Sequence, residues 1–536
     1  MLFNSPFFIF IFLPIVVFGF YYLSRKGFFR LSIAWLVAAS LFFYGWWNPI
    51  YLILILSSIL FNYFIGRGLS RNKNSNNVLL LLTVGVFANV GLLIYFKYTH
   101  FFIDISNSLF NASYDIEAII LPLAISFFTF QQIAYLVDAY KGKAQEYNFL
   151  HYCLFVTFFP QLIAGPIVHH SEMLPQFSDN SRQQFILKNI VIGMTIFSLG
   201  LFKKVILADG LGVYATPIFN AAEAGSVLSF FEGWFGSSAY LLQLYFDFSG
   251  YSDMAVGLAA IFGIVLPLNF NSPLKSHNII NFWSRWHITL SRFIQDYIYT
   301  PIAISSTRFS MRNNLPGIPE FIICVAMPTG IAFFLAGLWH GAGWNFVIFG
   351  LLHGSYLIIN QAWLAIRRWL GHDVNSHSII GIFLGRIITL LAVLISFVFF
   401  RAESFDGAKN ILIAMTSLDG MYLPETYLIH VTQVIDLTNF FALIGVEFSG
   451  SDNLLQRRMV LNTIIGFLVV FLVPNTMQII GRYWDGYEKY SVSPLESFWK
   501  KGQWQPNIKW AFVMSIIFVL YLSSLSKISE FLYFQF

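Results

Sequence analysis

Runs of about twenty predominantly apolar residues follow one another from end to end of this chain, and that length matches the hydrocarbon thickness of a bilayer. They lie near 6–23, 31–47, 50–65, 78–96, 118–137, 151–168, 188–207, 237–262, 318–338, 343–365, 379–400, 459–480 and 509–525. Only 11% of the 536 residues are charged, against roughly 25% in a soluble domain. The chain could bury a large core but lacks the polar residues to coat one, so lipid must do the coating. The expected fold class is all-α: a polytopic membrane helix bundle forming a single integral membrane domain over 1–536.

Several of these runs are interrupted, as at Pro122, Pro160, Gly165 and Gly337. Broken backbone at membrane depth is tolerated only inside protein or around a water-filled cavity, so re-entrant segments are expected. Orientation follows the positive-inside rule. Arg25, Lys26 and Arg30 follow the first run and Arg67, Arg71 and Lys73 the third, whereas Trp46-Trp47-Asn48-Pro49 between them is uncharged. This puts both termini outside, the loops 24–30, 66–77, 138–149 and 482–509 in the cytoplasm, and 97–117, with Lys97, in an outer loop. Two segments do not read as spans. Residues 278–299 mix Arg285, Arg292 and Asp296 with Trp and Ile, the pattern of one amphipathic helix at an interface or cavity. Residues 402–458 are more polar and read as an extracytoplasmic loop with short helices.

The net charge of +5 is dispersed, which argues against nucleic-acid binding. Cys153 and Cys324 sit apart in apolar runs, so neither a disulfide framework nor a metal site is expected. No removable signal peptide is recognisable, and Phe7 to Tyr22 reads as a retained first helix.

Five segments could carry chemistry. Trp339-His340-Gly341-Ala342-Gly343-Trp344-Asn345, followed by His353, sets a histidine among glycines in an apolar region. An ionisable side chain there is a functional hypothesis by default, imidazole is the side chain suited to base catalysis near neutral pH, and glycines leave room for a substrate. The plain alternative is a histidine bonded to a neighbouring helix. In Arg285-Trp286-His287, with Arg292 beyond, the guanidinium groups could hold phosphate and His287 could orient a partner or shuttle a proton; snorkelling arginines on an interfacial helix are the alternative. Gln243, Tyr245, Asp247 and Asp253 share one apolar run. Buried carboxylates need partners such as Lys, Arg or His, and these could orient a histidine or hold helices in register. Finally, Phe158 to Pro166 suits re-entrant backbone, and Lys203-Lys204 sit by a membrane boundary.

In this order, FFPQLIAGPIV, GLFKK, QLYFDFSGYSDMAVG, NFWSRWHITLSRFIQDYIYTPI and GLWHGAGWNFVIFGLLHG resemble the membrane-bound O-acyltransferase superfamily, and most closely its bacterial alginate O-acetyltransferase branch. With the opening LFNSPFFIFIFLPIVVFGFYYL the resemblance reaches to about Arg401, with a motif-bearing core of about 118–366, and a PNxxQ element follows at Pro474 to Gln478. Length favours this branch over the shorter D-alanyl transferases of teichoic acids. The resemblance implies helices around a funnel or tunnel in a bacterial cytoplasmic membrane. His340 matches the family's essential histidine and His287 its second. Trp339, Trp344, Asn345, Arg285, Asp247, Asp253, Tyr245, Gln243 and His353 are candidates for lining the tunnel. It further implies an acyl thioester donor, acetyl-CoA or an acyl-carrier thioester, with no permanently bound cofactor. A glycan would accept the acetyl group, directly or through a periplasmic acetyltransferase of the SGNH type. Trp344, Asn345, His287 or backbone N–H groups are possible donors to the reaction's oxyanion, and an acetyl-histidine relay is an alternative route. A glycan transporter or export channel, or a scaffold for a soluble acetyltransferase, are the competing readings.

Overall fold

The computed structural model describes all residues except 72–76, 145–147, 164, 375–377, 418–419, 426, 428–440, 442, 444, 449–453, 484–501, 526–528, 530 and 533–536. It is an all-helical bundle. Among the described residues, seven helices are long and apolar enough to cross a membrane: Phe8–Arg25, Tyr51–Arg71, Val78–Phe110, Leu187–Glu223, Ile318–His340, Trp344–Trp369 and Ile379–Arg401. Shorter apolar helices cover Phe29–Gly45 and Ile508–Ser523. Their outward faces are rich in Phe, Leu and Ile, as a lipid-coated bundle requires, and the chain is a multi-pass membrane protein.

The bundle is organised around one helix, Phe230–Ile261, buried without interruption from Ala239 to Ile261. A helix apolar on every side belongs in an interior. Its start is fixed by a capping box: the Ser229 hydroxyl accepts the Glu232 N–H (3.2 Å) and the Glu232 carboxylate accepts the Ser229 N–H (2.8 Å). Facing glycines let the neighbouring helix Leu187–Phe202 approach. A Cβ on Gly200 would stand 2.5 Å from the Gly250 carbonyl oxygen, the small-residue contact by which helices in lipid pack.

Three stretches of the expected span pattern are interrupted. Residues 111–124 are non-helical before the helix Ile125–Tyr140. Residues 151–168 divide into Phe149–Thr157 and the single turn Phe159–Leu162, and 165–168 are non-helical. Likewise Arg457–Leu472 stops before Pro474, and Thr476–Ile480 follows. Within 402–458 the helix Phe405–Thr416 is not a loop element in solvent: Ala408, Ile411, Ala414 and Met415 are buried. The pairing of Tyr422–Leu423 with Glu447–Phe448 is the only strand pair among the described residues. Most of 482–509 lies outside the described residues.

Candidate active site

The helix Ile318–His340 ends at its histidine. Gly341 and Gly343 are extended (φ −165° and −171°) and reverse the chain into Trp344–Trp369. The two helices cross at Gly337 and Gly350, where a Cβ on Gly337 would lie 2.4 Å from the Phe346 carbonyl oxygen. A helix terminus leaves carbonyls without intrahelical partners, and here another helix supplies the donors. Lys97 Nζ donates to the carbonyls of Trp339 (2.5 Å) and His340 (3.1 Å), and Tyr98 Oη to that of Leu338 (2.7 Å). A cation at the negative end of a helix is also electrostatically favourable. Lys97 is thus not in an outer loop: it sits in a wide π turn, Ile94–Tyr98, within Val78–Phe110.

His340 is 6% exposed. Its ring meets Trp339, Phe400 and Phe349 at centroid distances of 4.9, 5.2 and 5.6 Å. The Trp339 ring lies 6.2 Å from His287, and the Phe349 ring 4.7 Å from His353. Three histidines, one of them more than fifty residues before the other two in sequence, therefore join one aromatic cluster.

His287 is 1% exposed. The expected amphipathic helix over 278–299 is broken at this residue. Ile279–Trp283 ends, His287 takes a left-handed conformation (φ 43°, ψ 53°), and Ile288–Ile294 begins. A non-glycine residue there is strained, and a second segment holds it. The Asn271 N–H donates to the Arg285 carbonyl and the Ile288 N–H to the Asn269 carbonyl, both 2.9 Å. His287 Nδ1 lies 3.0 Å from Asn269 Oδ1. On its other side the His287 ring meets the edge of Phe248 at 4.8 Å. His353 is fully buried, and its Nδ1 accepts the Trp283 indole N–H at 3.3 Å.

A cavity of about 580 Å³ reaches this cluster, with Lys97, Phe127 and Trp339 in its wall and Met1, Trp46 and Trp47 among its other lining residues. A second, of about 480 Å³, is lined by Trp283, Ile288 and Arg292 from the His287 segment and by Thr329, Ala332 and Phe333 from the His340 helix.

The remaining sequence candidates are distributed differently. Tyr245 packs against Trp286 and Phe270 (6.5 and 6.4 Å) behind His287. Asn345 donates to the Ala402 carbonyl at 2.9 Å, tying the His340 turn to the end of Ile379–Arg401. Arg285 donates to the Asn271 carbonyl (3.2 Å), and Arg292 makes a two-pronged ion pair with Glu172 (2.6 and 2.9 Å). Asp247 pairs with Lys204 (2.7 Å), and Asp253 with Lys203 (2.6 Å) and the Thr476 hydroxyl (2.5 Å). These partners belong to the helix register and not to a histidine. Gln243 faces Gly212 across a helix contact, and Trp344 is 61% exposed beside Phe101.

Sequence reasoning missed Lys97, Tyr98 and Asn269. Lys97 had a usable signal, a single cation inside the apolar run Ile94-Tyr95-Phe96-Lys97-Tyr98. Asn269 had none.

A family model for the membrane-bound O-acyltransferase family matches residues 137–400. Over 452 residues the chain is 43% identical to a peptidoglycan O-acetyltransferase of Helicobacter pylori, covering 79% of this chain and 81% of that protein. It is 36% identical over 462 residues to a probable alginate O-acetylase of Pseudomonas aeruginosa, covering 84% and 81%. Similarity to a teichoic acid D-alanyltransferase of Streptococcus thermophilus is lower, 26% over 299 residues, covering 52% and 68%.

Proposed function

Since the chain belongs to the membrane-bound O-acyltransferase family and is an acyltransferase, we propose that it takes acetyl from a cytoplasmic thioester, acetyl-CoA or an acyl-carrier thioester, and passes it across the cytoplasmic membrane to hydroxyls of a surface glycan. The higher identity to the peptidoglycan enzyme than to the alginate proteins favours a wall glycan as the ultimate acceptor, and the lower identity and shorter match of the D-alanyl enzyme favours acetyl as the group. Delivery is direct or through an extracytoplasmic acetyltransferase partner of the SGNH type.

The observation that carries this reading is the pair of buried histidines, His340 and His287, on Trp339, which itself lines a cavity that also borders Trp46 and Trp47. Those tryptophans lie on the face that the positive-inside rule expects to be outside. Acetyl transfer to a hydroxyl needs a base. A neutral imidazole at His340 takes the hydroxyl proton as the oxygen attacks the thioester carbonyl; the tetrahedral intermediate then expels thiolate, which receives the proton. His287 is the second site through which that proton passes. Base catalysis contributes about 10²–10⁴-fold, so holding both substrates in the cavity supplies much of the remainder.

The test is acetyl turnover by the protein in nanodiscs, with radiolabelled acetyl-CoA and wall-glycan fragments, with and without a periplasmic acetyltransferase. Thiol release and labelled acceptor, both lost in a folded His340→Ala protein, are expected. Label retained on the protein and lost with His340 would indicate the acetyl-histidine route. Full activity without His340, or passage of intact glycan without thiol release, would overturn the reading in favour of a scaffold or an export channel.

A further inference from the structure

We infer that Asn269 is a positioning residue that fixes His287 in the tautomer carrying its proton on Nδ1, so that Nε2 presents a lone pair to the reacting groups. The inference rests on the proposed acetyl transfer and narrows what His287 can do in it.

The argument starts at the Asn269 amide. The Thr289 backbone N–H points at one of its two terminal atoms from 3.4 Å. A backbone N–H can only donate, so that atom is the oxygen and not the NH₂ group. The Thr289 hydroxyl, 2.9 Å from the same atom, agrees: it accepts the Ile167 N–H at 2.9 Å and has its own proton left to give. The NH₂ end then faces the Ser252 hydroxyl, which accepts it at 3.3 Å. His287 Nδ1, 3.0 Å from Asn269 Oδ1, therefore meets an acceptor and must carry the hydrogen. The bond on one ring nitrogen decides the state of the other. In the neutral ring Nε2 is left with its lone pair, and it is buried with no hydrogen-bond partner among the described residues. The opposite tautomer would set two acceptors against each other in an interior where unmet polar groups are costly.

His353 has the opposite polarity. Its Nδ1 accepts from the Trp283 indole, which can only donate, so its Nε2 bears the proton. The two histidines are thus set in opposite senses by one neighbour each. His287 can receive a proton but, while neutral, cannot donate from Nε2 to an oxyanion. This removes it from the oxyanion donors that the sequence left open and makes it a relay. The proton it receives comes from the attacking hydroxyl and ends on the departing thiolate, so the step balances.

The test reads the tautomer and the kinetics separately. Solid-state NMR of protein labelled with ¹⁵N-histidine, with His287 assigned by the signal missing from His287→Gln, should show a pyrrole-type Nδ1 and a pyridine-type Nε2. Asn269→Asp keeps an acceptor in place and should keep that signature and measurable turnover. Asn269→Leu should lose the signature and about 10–100-fold in kcat with KM little changed, short of the 10²–10⁴-fold of losing a base. The reverse tautomer in the wild-type protein overturns the inference even if no variant folds. So does a folded Asn269→Leu protein with normal kcat while His287→Ala is inactive, a result that leaves the proposed acetyl transfer standing. Normal turnover by His287→Ala would instead remove His287 from the reaction and the role of Asn269 with it.

Discussion

Substituting Gly350 by alanine should cripple the enzyme from behind the proposed active site. The added methyl would stand 2.3 Å from the Phe333 carbonyl oxygen and 2.9 Å from Gly337 Cα. Ordinary contact begins near 3.4 Å, and both obstacles are backbone, so neither can turn aside as a side chain would. The helices Ile318–His340 and Trp344–Trp369 must separate by about 1 Å, a displacement that can cost on the order of 10²-fold in rate where groups are held for attack. His340 lies three residues beyond Gly337 and moves with it. The expected result is a kcat lowered about a hundredfold, read as thiol release from acetyl-CoA in nanodiscs, with the protein still inserted and monodisperse. The control is Gly330→Ala on the His340 helix, where a Cβ would meet nothing within 4 Å and turnover should be unchanged. Wild-type kcat in Gly350→Ala, or equal damage from both substitutions, would refute the argument that this crossing sets the position of His340.

Two further outcomes follow from the buried charges. Lys97→Met should lower thermal stability, because the Trp339 and His340 carbonyls lose their donor at about 1–3 kcal/mol each, and turnover should fall with it; a Tm equal to wild type would contradict the capping role. Lys204→Met should destabilise by about 3–5 kcal/mol by leaving Asp247 unpaired in the interior, and the double variant with Asp247→Asn should recover part of that loss. If the two losses simply add, in denaturant titrations of the reconstituted protein, the pair is not coupled.

The seven long apolar helices were legible in the sequence because lipid imposes one length and one composition on a crossing helix, whereas the expected runs 118–137, 151–168 and 459–480 are interrupted; WHG and RWH were legible because the motifs resemble those of a known family. The capping box at Ser229 and Glu232 was equally visible as Ser-x-x-Glu, although the expected span began only at residue 237. What escaped has a physical cause in each case. The positive-inside rule counts cations as loop residues, so Lys97 was assigned to a loop; its partners are carbonyls some 240 residues away, and backbone atoms carry no sequence signal. The break at His287 could not be read from an amphipathic pattern, since the strained conformation is imposed by Asn269 and Asn271 from a separate segment. Asp247 and Asp253 were expected to need a cation or histidine. That the lysines of Lys203-Lys204, and not the histidines, fill the role depended on a helix packing that periodicity does not specify.

The cap on the His340 helix also bears on how the protein is made. Lys97 leaves the ribosome long before residues 339 and 340, so its helix must enter the membrane while the carbonyls that will receive its ammonium do not yet exist. A lysine in mid-helix costs about 2.5–3.5 kcal/mol on the scale of translocon insertion, and each Leu, Ile, Val or Phe returns about 0.3–0.6. The run Val78-Leu79-Leu80-Leu81-Leu82 and the Val, Phe and Leu residues after it are sufficient to offset that cost and let the helix insert alone. Until the second half of the chain arrives, however, the newborn bundle holds this lysine without its carbonyl partners, at the desolvation cost of an unmet buried charge. The same bond that completes the His340 helix removes that cost.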